Sequence, residues 1–522
     1  MIELSQAFGY AWLCWGSIVL VVQSIGTYGI FKNFSSVPKK AVSPALPEDE
    51  VPHVTILRPA KGLEPYLYEC LKSTLQQNYP KNKFSIHFCV SSRDDAAYPV
   101  MRQVIDEFPG HDARIFIEDE DPLLNGRGNT TIQNMGPNPK IRNLSHAYRE
   151  VKGDIVWIAD CNVWLSKSAA GKMVDRLCGL RPDGRQEKPC KLAHQLPIVV
   201  DTVSSLERNS SESQALLSGA IDIEDSKEID NSMLGQGGGR LDEMFMCTTH
   251  AKFYSAINTV GVAPCVVGKS CMFRKSQLDY ATDPAQNPIL SESSPPLPTG
   301  LNYFSHFICE DHLIGDLLWR TNFPGFRNHA LNWGNLVVQP VAGMSVAAYV
   351  GRRVRWLRAR KWTVLLATLV EPGVESFLCC FYVSWTLTSL PWLSQYLDIG
   401  QTWGSLLKCW GAGVFSWMVL DRLVSNRLHA GYSIDIDEDT PAFARGAKRG
   451  GAERRPFGQW FLAWLGRELL ALPIWTWAVL LGTTVNWRGR QFQVRSDMSV
   501  VSDEPERSLS NPPDGRTLNK ID

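Results

Sequence analysis

Residues 155–160 read Ile155-Val156-Trp157-Ile158-Ala159-Asp160, five apolar residues closed by a carboxylate. A short, continuous apolar run is typical of a strand buried on both faces of a sheet, because a half-exposed strand alternates apolar with polar residues. We therefore expect Asp160 to stand at the carboxyl end of an interior strand.

The segments before this strand alternate strand with helix. Residues Val54-Thr55-Ile56-Leu57-Arg58-Pro59 predict a first strand, and Leu67, Leu71 and Leu75 share one face of a helix predicted over 64–78. The same alternation continues in a strand over 84–90, a helix over 100–108 and a strand over 113–117. This order predicts an α/β fold with a parallel sheet.

Carboxylates follow two of these strands. Ligands bind at the carboxyl ends of the strands in such sheets, which is where Asp94, Asp95 and Asp160 fall. Asp160 is a predicted ligand of a divalent cation, Mg²⁺ or Mn²⁺, because hard cations prefer carboxylate oxygens. Asp94 and Asp95 are either site residues or solvated turn residues. Lys140 is either a phosphate-binding group or a solvated cation.

Two later motifs bear on the chemistry. Gly268-Lys269-Ser270-Cys271 contains Gly-Lys-Ser but lacks the upstream glycine of a phosphate loop, which argues against nucleotide hydrolysis. Glu310-Asp311 opens an apolar helix, where an acidic pair either caps the helix or serves a site.

The composition limits the partners and the compartment. The 53 Lys and Arg balance 53 Asp and Glu, which argues against nucleic acid as the main partner. The 13 cysteines form no Cys-x-x-Cys pair, so they are predicted to be reduced thiols in a protein that faces the cytosol.

The chain divides into six predicted segments. Residues 8–31 carry no charge and, at about 24 residues, are long enough to cross a bilayer. Basic residues follow this run, so the positive-inside rule places the rest of the chain in the cytosol. The predicted segments are an N-terminal anchor over 1–33, a linker over 34–52, a cytosolic catalytic domain over 53–350 with flexible insertions at 203–240 and 281–300, an interfacial basic segment over 351–362, a transmembrane or interfacial region over 363–487, and a largely disordered tail over 488–522.

The basic segment has two interpretations. Residues 351–361 contain six cationic residues and Trp356, a composition that suits a membrane surface. Alternatively, Arg352, Arg355 and Trp356 belong to an active site with the upstream acids.

The apolar region that follows does not settle the number of spans. Spans are predicted over 377–392 and 403–420, with Glu371 and Glu375 at the lipid boundary. One more span over 457–485 would leave Arg488, Arg490 and Arg495 outside, against the positive-inside rule. Residues 457–485 are therefore either a re-entrant hairpin or evidence that the spans are miscounted.

These motifs together resemble a known group of enzymes. Acids at Asp94 or Asp95, Asp160 and Asp311, followed by Arg352-x-x-Arg355-Trp356, resemble the D, D, D, (Q/R)xxRW pattern of inverting membrane glycosyltransferases with a type A fold. Further strings resemble the ceramide glucosyltransferase family: Asn138-Pro139-Lys140, His194-Gln195-Leu196-Pro197, Thr249-His250, Gly268-Lys269-Ser270-Cys271 and Asn486-Trp487-Arg488 with Gly489-Arg490. The likeness covers about residues 50–200, 245–280 and 301–495. In the family the first aspartate often stands where this chain has Ser92, so its role falls to Asp94 or Asp95.

The resemblance implies a reaction and roles. Glucose would pass from UDP-glucose to the primary hydroxyl of ceramide with inversion, giving β-glucosylceramide. Asp94 or Asp95 would lie near the nucleoside, and Asp160 would hold the divalent cation. Asp311 would be the general base.

The remaining predicted site residues would bind the substrates. Lys140 would steady the phosphates, and Arg352 and Arg355 the diphosphate. Trp356 would stack near the acceptor or the sugar, and His250 is either an acceptor contact or a loop histidine without a role in binding. The enzyme would be a multi-pass protein of the Golgi or endoplasmic reticulum, with its catalytic domain on the cytosolic face of the bilayer.

Two alternatives remain. A processive polysaccharide synthase shares the acids and the Arg-Trp motif, although it commonly has Gln at the position of Arg352. A non-catalytic lipid-binding scaffold would use the basic segment only as an anchor.

Overall fold

The computed structural model describes residues 2–125, 132, 134–202, 233–290, 297–451, 455–487 and 490–502. Its centre is one eight-stranded sheet. The strands are β1 Val54–Pro59, β2 Phe84–Val90, β3 Asp112–Ile117, β4 Ile155–Ala159, β5 Trp164–Leu165, β6 Cys190–Asp201, β7 Ser270–Arg274 and β8 Arg327–Val341.

The sheet is mixed, in the order β3-β2-β1-β4-β7-β6-β8-β5. Strands β1 to β4 are parallel, as the alternation of strands and helices predicted. Strand β7 lies antiparallel between β4 and β6, and β6 pairs in parallel with β8. Because β7 runs opposite to both of its neighbours, the carboxyl ends of β4, β6 and β8 lie at the same edge as those of β1 and β2.

Strand β4 is an interior strand, as predicted. Ile155, Trp157 and Ala159 pack in the core on one face of the sheet, and Val156 and Ile158 pack in the core on the other face. The indole Nε1 of Trp157 donates to Ser270 Oγ on the neighbouring strand at 2.8 Å. Both faces are covered, so only the residues that follow the strand are free to serve a site.

Helices cover both faces of the sheet and form the C-terminal region. They are α1 Ile2–Asn33, α2 Leu67–Leu75, α3 Ala97–Glu107, α4 Pro139–Arg149, α5 Ala169–Cys178, α6 Met233–Gln236, α7 Gly238–Phe245, α8 Ala251–Val260, α9 Lys275–Thr282, α10 Glu310–Arg320, α11 Val346–Arg360, α12 Leu365–Val370, α13 Ser376–Ser389, α14 Pro391–Tyr396, α15 Trp403–Leu428 and α16 Phe457–Trp475. Two π-helical turns, Met246–His250 and Thr476–Leu480, interrupt this series.

One described helix is long and apolar enough by itself to cross a bilayer. It covers Leu4–Asn33, with a mean hydropathy of 1.5. Residues Leu365–Val374 and Ser376–Ser389 reach the same criterion only together, and they are bent by 74°. The spans predicted over 403–420 and 457–485 do not meet it as described helices, so the C-terminal spans stay predictions.

The chain turns back to the sheet-bearing domain after α16, and both alternatives for 457–485 stay predictions. Helix α16 ends at Trp475, and the chain then forms β9 Thr484–Trp487, β10 Arg490–Val494 and β11 Val500–Ser502, a small antiparallel sheet. Its apolar face packs against Ile308, and Ser499 bridges to Phe307. The chain thus returns to the domain that carries the eight-stranded sheet.

Three predicted boundaries differ from the structure. The insertion over 203–240 was expected to be flexible through Arg240, but residues 233–240 form α6 and the start of α7. A Cβ on Gly238 would lie 2.0 Å from the carbonyl oxygen of Ser345, so this glycine is needed for a close approach of two backbones. Residues 203–232 lie outside the described residues.

The other two differences concern 281–300 and the tail. Asn287 is buried, and its Nδ2 donates to Ala281 O at 2.7 Å, which fixes this point of 281–300, whereas residues 284–286 and 288–289 are exposed. Residues 490–494 and 500–502 form β10 and β11, so regular structure extends past 488, where the largely disordered tail was predicted to begin. Residues 291–296, 488–489 and 503–522 lie outside the described residues.

Candidate active site

Asp160 lies between two lysine side chains at the carboxyl edge of the sheet. Its Oδ1 is 3.1 Å from Lys140 Nζ, and its Oδ2 is 3.0 Å from Lys269 Nζ. Burial alone would raise the pKa of Asp160, but the two ammonium groups outweigh it and hold that pKa well below its usual range. Asp160 is therefore ionised and neutralised by its neighbours.

Helix α4 places Lys140 in this cluster. Asn138 caps the helix, because its Oδ1 accepts from the backbone N–H groups of Lys140 and Ile141 at 2.8 and 3.2 Å. Burial would lower the pKa of Lys140, but Asp160 and Glu310 raise it above its usual value. Lys140 is therefore a buried charged residue held by two carboxylates, and the solvated alternative does not apply.

The two acids at the start of α10 have different environments. Glu310 is buried, and its Oε1 is 3.0 Å from Lys140 Nζ. Asp311 is only partly buried, and it packs against Gly268, where an added Cβ would lie 3.1 Å from the Asp311 carboxylate. Burial raises the pKa of both side chains. Glu310 thus holds Lys140, whereas Asp311 keeps part of its surface exposed to solvent.

The structure distinguishes Asp95 from Asp94. Asp95 Oδ1 accepts from the backbone N–H groups of Gly62 and Ala97 at 2.8 and 2.9 Å, which links the loops after β1 and β2. Asp94 is exposed. Both lie on the predicted edge of the sheet, and Asp95 is the one that the fold holds in place.

The Arg-x-x-Arg-Trp motif lies on α11, in a second group of contacts. Arg352 donates to Gln339 Oε1 at 3.1 Å, and its Nε is 3.4 Å from Asp242 Oδ2. Its guanidinium lies 4.6 Å from the ring centroid of Trp356. Arg355 is partly buried. These contacts connect the motif to β8 and α7. They are separate from the contacts described above around Asp160, Lys140 and Asp311, which form the first group.

His250 ends a π-helical turn, a feature that is frequent at functional sites. Its ring stacks on Tyr254 with centroids 5.3 Å apart, and its Nδ1 has no hydrogen-bond partner among the described residues. Burial, together with Arg353 and Arg360, lowers the pKa of His250 to about 3. The imidazole is therefore neutral and has an unused ring nitrogen.

Sequence reasoning missed three residues of these groups. Lys269 and Glu310 were noticed only as parts of motifs, and Asp242 was not singled out although it follows the predicted insertion. The Gly-Lys-Ser-Cys string was the available signal for Lys269. The acidic pair at the start of α10 was the signal for Glu310, whereas Asp242 carries no local signal, because its partner Arg352 is distant in sequence.

The donors around Asp160 do not fit the divalent cation predicted there. Within the described ranges, no three His, Cys, Asp or Glu residues gather in a way that could hold a metal ion. Both oxygens of Asp160 pair with ammonium groups, and the neighbouring Asn162 Oδ1 accepts from Lys269 at 3.1 Å. A cation would have to displace both lysines from Asp160.

Comparison with known proteins supplies the family. The model of Glycosyl transferase family 21 matches residues 19–183 and 298–500. The chain is 54% identical over 99% of both chains to a ceramide glucosyltransferase of Pyricularia oryzae. It is 31% identical to the ceramide glucosyltransferase of Candida albicans, over 94% of this chain and 97% of that protein.

A solved structure offers a more distant likeness. A mannosyltransferase from Pyrobaculum calidifontis, solved with GDP-Man and Mn²⁺, aligns at 12% identity with a TM-score of 0.40, over 83% of this chain and all of that one. The mixed sheet and the family match agree with the predicted type A glycosyltransferase fold. The chain belongs to glycosyl transferase family 21.

Proposed function

We propose that this protein transfers glucose from UDP-glucose to the primary hydroxyl of ceramide, with inversion, giving β-glucosylceramide. The relatives named ceramide glucosyltransferase support the substrates. The observation that carries the chemistry is the partly exposed Asp311 beside the buried group of Lys140, Asp160 and Glu310.

In the proposed reaction, Asp311 is the general base. Its carboxylate takes the proton of the ceramide hydroxyl while that oxygen attacks the anomeric carbon of glucose. The bond from the anomeric carbon to the UDP oxygen breaks, and UDP leaves from the opposite face. A single displacement converts the α-linked donor into a β-glucoside without a covalent sugar intermediate, as in inverting glycosidases.

The remaining side chains bind the substrates. Lys140 faces the diphosphate, and Asp94 and Asp95 lie toward the nucleoside. His250 and Trp356 contact ceramide, because both are rings with a polar edge beside Phe245, at centroid distances of 5.8 and 6.5 Å. Arg352 and Arg355 bind the diphosphate from α11.

The lipid bilayer is part of the proposal, since ceramide is insoluble in water. Helix α1 supports an N-terminal anchor by length and composition. We place the enzyme in the Golgi or endoplasmic reticulum with its catalytic domain facing the cytosol, where the reduced cysteines predicted from the sequence are stable.

One assay separates this function from its alternatives. Purified full-length protein receives radiolabelled UDP-glucose and ceramide in lipid vesicles, and the products are separated by solvent extraction and chromatography. A labelled lipid monoglucoside supports the proposal. A labelled polymer would indicate a processive synthase, and an absence of transfer by folded protein would indicate a scaffold.

Gly268→Ala should lower kcat about tenfold with little loss of stability. The new Cβ would lie 3.1 Å from Cβ, Cγ and Oδ2 of Asp311, so the carboxylate has to shift by a few tenths of an ångström. Small displacements of a catalytic group are costly, about 10²-fold for 1 Å. The steady-state rate is compared with that of Gly411→Ala, whose Cβ would have open space. An unchanged kcat for Gly268→Ala would show that this packing does not position the base.

Turnover should fall on acidification, and the fall should begin at a higher pH than it would if the general base were an aspartate with an ordinary pKa. Burial raises the pKa of Asp311, and only the ionised carboxylate can accept a proton. Activity is therefore present above the raised pKa and is lost as the pH falls through it. The Glu310→Gln variant removes the neighbouring acid whose pKa is also raised. We expect its plot of kcat against pH to keep the same loss of activity at low pH. A loss that disappears in Glu310→Gln would assign the titration to Glu310.

A further inference from the structure

We propose that Lys269 is a second diphosphate-binding residue, and that Asp160 positions Lys140 and Lys269 on the diphosphate instead of ligating a divalent cation. This inference rests on the proposed use of a nucleoside diphosphate sugar, whose site it deepens.

The geometry of Lys269 matches that of Lys140. Lys269 Nζ donates to Asp160 Oδ2 at 3.0 Å and to Asn162 Oδ1 at 3.1 Å. Lys140 Nζ lies 3.1 Å from Asp160 Oδ1 and 3.0 Å from Glu310 Oε1. An ammonium group has three donors, so each lysine keeps one N–H beyond these two contacts. Asp160 therefore presents two ammonium groups side by side.

The backbone reinforces this arrangement. Asp160 N donates to Lys269 O at 3.2 Å, and Lys269 stands immediately before the antiparallel strand β7 that pairs with β4. Both lysines are only 8% exposed. A buried, pre-positioned cation stabilises a developing negative charge without reorganisation, which is the condition for strong electrostatic catalysis.

The lysines have only to stabilise negative charge on the leaving group. When the bond to glucose breaks, the electron pair stays on the leaving UDP oxygen, and the diphosphate gains negative charge. Ammonium groups can stabilise that charge directly, as metal ions do at other phosphoryl sites. The paired oxygens of Asp160 and the engaged oxygen of Asn162 explain why the donor set does not fit a cation.

The test measures UDP binding to the full-length protein in detergent by calorimetry, after chelator treatment and again with Mn²⁺ or Mg²⁺. We expect the wild-type Kd to change less than about threefold between these conditions. Lys269→Met should weaken UDP binding by about tenfold or more in both, because a charge-assisted contact is lost. Lys269→Arg should recover part of the affinity. Lys152→Met, which removes a half-exposed lysine that pairs with Asp112, is the matched control and should bind UDP normally.

Two results would overturn the inference. One is a wild-type protein that loses UDP binding in chelator and regains it with Mn²⁺ or Mg²⁺, because Asp160 would then release its lysines for a cation. The other is a folded Lys269→Met protein with normal affinity. The wild-type comparison needs no substitution, so it tests the role of Asp160 even where Lys269→Met fails to fold, and Lys269→Arg then tests Lys269, with unchanged affinity for UDP expected only if the charge suffices. A protein that binds UDP through Lys269 but transfers no glucose to ceramide would refute the proposed function alone.

Discussion

Asp311→Asn should lower kcat by about 10²- to 10⁴-fold while UDP binding stays within about twofold of the wild type, because general-base catalysis contributes rate enhancements of that size. Asparagine has nearly the same shape as aspartate but cannot accept the proton of the acceptor hydroxyl. The buried pairs of Lys140 with Asp160 and Glu310 remain in this variant, so the diphosphate side of the site is retained.

The measurement combines the radiolabelled transfer assay with UDP calorimetry. Asp316→Asn, on the same helix and paired with Arg320, is the control for changing a carboxylate on α10. We expect that control to retain normal turnover. Near-normal turnover in Asp311→Asn would refute the base assignment, and a large loss of UDP affinity would move Asp311 from the acceptor to the nucleotide side.

Lys252→Met should reduce the free energy of unfolding by about 3–5 kcal/mol, the range for breaking a buried ion pair by removing one partner. Lys252 Nζ lies 2.6 Å from Asp421 Oδ1, and both side chains are fully buried between α8 and α15. The ammonium group also lies 4.9 Å from the ring of Trp417. Methionine keeps the apolar stem but leaves the Asp421 charge without this partner.

A double variant measures the coupling between the two charges. Asp421 Oδ2 accepts from Trp464 Nε1 at 2.8 Å, and the asparagine introduced in Lys252→Met/Asp421→Asn keeps an acceptor oxygen for that bond. We expect the double variant to be more stable than Lys252→Met, because no unpaired charge is buried. Lys408→Met, at an exposed position of α15, should unfold like the wild type. Thermal and denaturant unfolding in detergent give the comparison, and a loss below about 1 kcal/mol, well under the range for a broken buried pair, would show that water or Arg467 compensates the charge.

The first half of the sheet was predictable because its signals are local. The apolar run of β4 and the predicted strand over 84–90 appear at the predicted residues, since interior strands need continuous apolar sequence. The sequence also predicted where Asp160 and Asp311 lie. Asp160 directly follows a strand, and Asp311 is at the start of a helix.

The antiparallel strand β7 was not predicted, although it inserts between β4 and β6. Its place depends on pairing partners distant in sequence. The same holds for the C-terminal strands, of which β10 and β11 lie within the predicted tail over 488–522. They gain their stability from packing on Ile308, a contact that no local pattern records.

Residue type and short-range spacing were enough to predict the family, the α/β class and the positions of Asp160 and Asp311 after a strand and at a helix start. The partners of each charge became visible only in the folded chain. It placed Lys140 and Lys269 on the two oxygens of Asp160, buried Glu310 while leaving Asp311 accessible, and paired Arg352 with Asp242. The role of a buried charge is set by the neighbours that neutralise it, and those neighbours come together only when distant segments pack.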